Sequence, residues 1–167
     1  VTPSIPKSLL LDSSPLLLLV VGLTDRSLIR KHKRTTHLSV DDFDQLWEAV
    51  GRYPRVLTTP GVLTEVSNHL EHHAEPERGR MFQVFAEVIG RLVEIHRPSE
   101  EVRADDSFPR LGLTDTGFLF LTEKPHVVTS DGNLCQTLLS RGFEAVVFPS
   151  PRSPAALGGL GSPFFSG

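Results

Sequence analysis

One cysteine, one methionine, one tryptophan and one tyrosine are all that the 167 residues contain of those four types. The single Cys135 excludes a disulfide framework and a cysteine-built zinc site, and it fits a reducing, cytoplasmic setting. No apolar run approaches the ~20 residues of a membrane-spanning helix. The longest, over residues 16–23, contains Gly22 and lies behind Pro3, Pro6 and Asp12, too far in for a clean signal peptide. No membrane partner is therefore expected. Nor does one sign of charge dominate. Lys and Arg number 17 against 20 Asp and Glu, a net charge of -3, which excludes wholesale attraction to nucleic acid but not a local basic patch. There is no glycine-rich phosphate loop and no internal repeat. What is present is ordinary for a globular chain: 39% hydrophobic and 22% charged residues. The length suits one domain that buries roughly two-thirds of its unfolded surface.

The chain is organised around Leu9-Leu10-Leu11-Asp12-Ser13-Ser14. So short an apolar run reads as a buried parallel strand over residues 8–12. Ser13 and Ser14 are capping residues and Pro15 suits the first helical position, so a fully apolar helix is expected over 13–23. Asp12 then ends a strand beside a helix N-terminus, where open α/β sheets bind ligands, although a plain capping role explains it equally well. The same pattern recurs at His126-Val127-Val128-Thr129-Ser130-Asp131. A helix over 131–140 should follow, with Leu134, Leu138 and Leu139 inward and Gly142 as its stop.

Between these lie alternating helical and strand signals. Ser39 caps a helix whose stripe is Phe43, Leu46, Trp47 and Val50. A strand over 55–58 precedes Thr59-Pro60, a cap followed by a first-turn proline, and the helix they open carries Glu65 with Asn68 and His69 on its face. A helix over 76–90 is read with Phe82, Phe85, Val88 and Ile89 as its apolar stripe, then a short strand within 92–95. Residues 99–110 are polar, with a short helix broken by Pro109. Thr114 reads as the cap of a buried helix and places Asp115 in its first turn. A last strand covers 145–148. The expected fold is α/β: a single three-layer α/β/α domain, residues 1–148, around a central, mostly parallel sheet of four to five strands. Residues 149–167, rich in proline, glycine and serine, are expected to be a disordered tail.

In a parallel sheet all strand carboxyl ends share one edge, so Asp12, Glu65, Asp115 and Asp131 can converge there. Two carboxylates about 4 Å apart repel by roughly 4 kcal/mol at an effective dielectric near 20. Helix N-termini return only about 0.3 to 1 kcal/mol each. A hard divalent cation is the natural counter-charge, and all-oxygen ligands suit Mg²⁺ or Mn²⁺. One or two such ions would activate water against a phosphodiester.

These residues resemble the PIN-domain family of metal-dependent ribonucleases, which includes the toxin subunits of bacterial toxin–antitoxin pairs. The resemblance is carried by Leu9-Leu10-Leu11-Asp12-Ser13-Ser14, Thr59-Pro60 with Glu65, Gly112-Leu113-Thr114-Asp115, and Val127-Val128-Thr129-Ser130-Asp131 with Leu134. It covers residues 8–148. It implies a metal-dependent endoribonuclease with Asp12, Glu65, Asp115 and Asp131 as catalytic metal ligands, Mg²⁺ or Mn²⁺ as cofactor, and Thr129 as a hydroxyl orienting a carboxylate or water. RNA is the expected substrate, and an antitoxin-like inhibitor protein and a second copy of the chain are expected partners. An inactive PIN-like scaffold and a DNA-directed nuclease are the alternatives. The chain departs from the family in the Asp105-to-Pro109 stretch, the long basic segment over 26–37 and the proline-rich tail.

Other clusters read more plainly. Arg30-Lys31-His32-Lys33-Arg34 is a solvated, mobile loop or a grip on a phosphate backbone. His69, His72 and His73 do not share a direction and so do not read as a zinc site. Cys135 reads as packing, and Asp41, Asp42, Asp105 and Asp106 as helix-start or loop acids.

Overall fold

Leu9, Leu10 and Leu11 lose all contact with solvent because the strand they form has neighbours on both edges and helices on both faces. In the computed structural model, which describes residues 8–149, this strand is β1 (Ser8–Leu11). It pairs in parallel with β2 (Arg55–Thr58), Leu9 opposite Val56, and with β4 (His126–Thr129), Leu10 opposite Val127. β3 (Val93–Glu94) and β5 (Ala145–Val147) complete a parallel five-stranded sheet of order β3-β2-β1-β4-β5. The expected α/β/α architecture is thus observed, with the sheet parallel throughout rather than mostly so. The proline-containing lead-in, residues 1–7, and all of the expected tail after Pro149 lie outside the described residues.

Helix α1 (Ser13–Thr24) is buried continuously from Pro15 to Gly22 and packs against α2 (Val40–Val50), α3 (Pro60–Glu71) and α4 (Glu77–Ile89). That enclosure is why its sequence shows no polar face. Its cap is Asp12 rather than either serine: the carboxylate accepts the Ser13 N–H at 2.7 Å. Pro15 is consequently the third helical residue and not the first, still within the turn whose N–H groups need no intrahelical acceptor. α2 meets α1 closely enough that a Cβ on Gly22 would stand 2.2 Å from the Phe43 ring, so only glycine fits there.

The expected Ser39 cap, the Thr59 cap with Pro60, and the weakly patterned β3 are all present, and Asp42 completes a capping box with Ser39. Other expectations need correction. Ile89 and Leu139 are exposed at 37% and 47%, because each lies one step off the face its helix buries; Met81 takes the inward place on α4. Trp47 is half-buried against the core. Pro109 does not break a helix but sits in the first turn of α6 (Phe108–Phe118), after the short α5 (Ser99–Val102). Thr114 is not a cap, since helical structure begins at Phe108. The chain leaves helical geometry only at Gly112 (φ 77°, ψ −178°) and resumes at once, so Asp115 still stands in a first turn.

The basic segment is not a loose loop. After a 3-10 turn over Arg26–Leu28, Leu28, Ile29, His32 and Thr35 are buried, while Arg30, Lys31, Lys33 and Arg34 stay exposed. The His32 ring anchors it. Nδ1 accepts the Arg34 N–H at 3.2 Å, which leaves Nε2 to donate to the His69 carbonyl at 3.2 Å, and the ring stacks on His73. α7 (Gly132–Ser140) covers β4 and β5, and Gly142 (φ 80°) ends it as expected.

Candidate active site

β1 has β2 on one side and β4 on the other, and the chain reverses its direction of travel across the sheet there. Open α/β folds form a crevice at such a point, outside the strand carboxyl ends. Asp12 immediately follows β1 and extends its ladder, its N–H donating to the Val128 carbonyl at 2.9 Å. The side chain is 6% exposed. Oδ1 accepts from the Ser13 N–H, and Oδ2 accepts from the Thr129 hydroxyl at 2.6 Å. The two readings of Asp12, cap and site residue, are therefore not exclusive. One oxygen starts α1 and the other faces β4.

Thr129, wholly buried at the end of β4, has a second role: its oxygen accepts the Asp131 N–H at 3.0 Å. A single hydroxyl so ties the Asp12 carboxylate to the backbone of the second aspartate. Asp131 is exposed and caps α7, with Oδ1 accepting from the Asn133 and Leu134 N–H groups at 2.7 and 3.1 Å. Its Oδ2 has no hydrogen bond among the described residues.

Glu65 reaches the same place from the second turn of α3, and Asp115 from the turn after the Gly112 break. All four acids line one open cavity of about 340 Å³, together with Ser13, Ser14 and Gly112. Among the described residues, no lysine, arginine or histidine lines it. The electrostatics follow. Burial raises the Asp12 pKa, and the charges of Glu65 and Asp131 add to it, against the lowering by Thr129 and Ser13. Asp115 is pushed up to about 7, by burial first and then by Asp12, Glu65 and Asp131. It has no compensating hydrogen bond among the described residues. Asp12 thus feels Glu65 and Asp131, and Asp115 feels all three.

An all-oxygen set with no protein cation fits a hard divalent ion in its donor chemistry. The carboxylates are spread around the cavity rather than drawn onto one point: among the described residues, no group of three or more His, Cys, Asp or Glu is close enough to hold an ion as it stands. Mutual repulsion without a counter-charge favours that spacing.

Sequence patterns pointed to the four acids that line the cavity, and the family resemblance alone pointed to Thr129. Ser13 and Ser14 were read only as caps, and Gly112 and Ser130 only within the motifs around Asp115 and Asp131, none of them as cavity wall. The signal for Gly112 was a glycine two residues before Thr114, the only residue type that accepts φ 77° without strain. The basic side chains of residues 30–34 do not line the cavity, and neither does His69. Cys135 is 5% exposed beside buried Leu134, where burial pushes its thiol pKa up, as a packing role predicts. No helix among the described residues is long and apolar enough to cross a membrane. Compared with known proteins, the chain matches no family model, no curated protein and no solved structure.

Proposed function

We propose that the chain is a metal-dependent endoribonuclease of the PIN-domain type. The observation that carries this reading is the convergence of Asp12, Glu65, Asp115 and Asp131, from separate segments, on one cavity without a basic residue. Those carboxylates would hold Mg²⁺ or Mn²⁺. When bound, such an ion supplies Lewis-acid stabilisation of charge on a phosphodiester and lowers the pKa of water.

The chain's own groups have separable roles. Thr129 fixes the Asp12 carboxylate by donating to Oδ2, and through its bond from the Asp131 N–H it sets the spacing of the two aspartates. The N-termini of α1 and α7 turn their positive ends toward the cavity and favour anionic groups there. With its pKa raised to about 7, Asp115 would have to give up a proton to serve as a ligand, so cation affinity should rise with pH. A toxin role with an inhibitor partner belongs to the same proposal and rests on the sequence resemblance; a small gene immediately upstream would support it.

Incubating the purified chain with single-stranded RNA tests the reading. Cleavage should require Mg²⁺ or Mn²⁺ and stop with chelator. Asp12→Asn should lower the rate at least about a hundredfold, the scale of lost electrostatic stabilisation of a transition state, with unchanged circular dichroism. Full activity in that variant would overturn the assignment.

A further inference from the structure

The carboxyl edge of the sheet carries more than the carboxylate cavity. A second cavity, of about 150 Å³, lies where β2 and β3 end, between Thr59 and Ile95, and it shares Leu113 and Thr114 as lining with the first. The two follow one another along the edge, one over β1 and β4, the next over β2 and β3. Their characters differ. The first is acidic, whereas the second has apolar walls at Pro60, Ile95, Val102 and Leu113, with His96 and Arg97 among its polar residues. Arg97 is exposed and has no ion-pair partner among the described residues, whereas Arg26, Arg55 and Arg141 are held by carboxylates.

An acidic centre repels a nucleic acid strand, so the strand needs cationic and apolar contacts beside it. Unstacked bases take apolar walls, imidazole faces or guanidinium planes, and their phosphates take arginine. We infer that the second cavity holds the base of the nucleotide adjoining the phosphodiester at the carboxylates, with Arg97 on the neighbouring phosphate. This inference rests on the nuclease reading above. The base held there is unpaired, either in a single strand or flipped out of a duplex.

Gly117 supplies a clean probe. It lines this cavity but not the other, and a Cβ built on it would meet nothing within 4 Å. Gly117→Leu therefore fills the space without touching a carboxylate, and replacing a helical glycine favours the helix. Binding of a fluorescent single-stranded RNA is measured by anisotropy in the Asp12→Asn background, and cleavage is measured with Asp12 intact. Arg97→Ala and Gly117→Leu should each weaken binding about tenfold, at the lower end of what one stacked base contributes. KM should rise by about as much with kcat nearly kept, and Arg97→Lys should restore most of the loss. Gly117→Leu should also change which nucleotide flanks the cut. Melting temperatures check folding, and the exposed Arg97 carries the test if the glycine variant unfolds. Variants that bind and cut like the parent, while Asp12→Asn is inactive, overturn the base cavity and leave the nuclease standing. Loss of RNA binding in both variants, in a chain that cuts no RNA with either metal, keeps the cavity and overturns the nuclease. No binding by the parent overturns both.

Discussion

Asp12 and Asp115 face the same cavity and meet opposite treatment from the fold. Asp12 is the more buried, yet it accepts two short hydrogen bonds that offset part of its desolvation; Asp115 accepts none among the described residues and carries the repulsion of the other three acids. Its carboxyl pKa moves from an ordinary 3.8 to about 7. The folded state thus binds this proton more tightly than the unfolded chain, so ionisation costs stability. The cost grows as pH rises from about 4 and is complete above about 7. In chelator at pH 8, Asp115→Asn should melt at a higher temperature than the parent, with the gap closing toward pH 4. A lower melting temperature at pH 8 would mean that the ionised carboxylate is favourably placed, contrary to its surroundings. At this scale the sequence was readable because each acid follows a local pattern. The partner of Asp12 was less so: Thr129 lies 117 residues away, and only pairing of β1 with β4 brings the hydroxyl to the carboxylate.

At the level of elements, α3 and α6 approach so closely that a Cβ on Gly61 would sit 2.7 Å from Thr114 Oγ1. Thr114 precedes Asp115, so this contact sets where an acid stands. Gly61→Ala should cost about 1 to 3 kcal/mol by overpacking and lower cleavage, as read by urea unfolding and RNA assay. Thr114→Ala in the same chain should return most of the stability, and a purely additive pair would show that the two residues do not meet. The helix starts explain what sequence patterns reveal and what they hide. Thr59-Pro60 and the Ser39 cap were legible because each lies directly before the helix it opens. Pro15 marked a first turn correctly in kind but not in position, and Pro109, read as a breaker, opens a helix instead, since proline is tolerated at any of the early positions that need no acceptor. The helix start before Asp115 was read one or two residues late, at Thr114, but the helical turn preceding Gly112 was hidden, because a lone glycine does not announce a positive φ. The basic segment deceived by composition: four exposed cations concealed the buried anchors Leu28, Ile29 and His32.

For the molecule as a whole, alternation of short apolar runs with helical stripes made the parallel sheet readable, and the sheet order placed Asp12 and Asp131 side by side. Contacts such as Asp12 with Thr129 have long sequence separation, so the entropy of closing that loop must be met before they form, and we expect them late in folding. The assembled cavity needs β4 paired with β1, so on that expectation it forms only after this pairing. Timing follows from this. A cation that binds the assembled acids finds no target in the folding transition state, so Mn²⁺ should slow unfolding and leave the refolding rate unchanged. Stopped-flow mixing with and without the ion measures both limbs; faster refolding with Mn²⁺ would place the acids together before the barrier. The chain would then owe its persistence to its ligand through the time it takes to come apart.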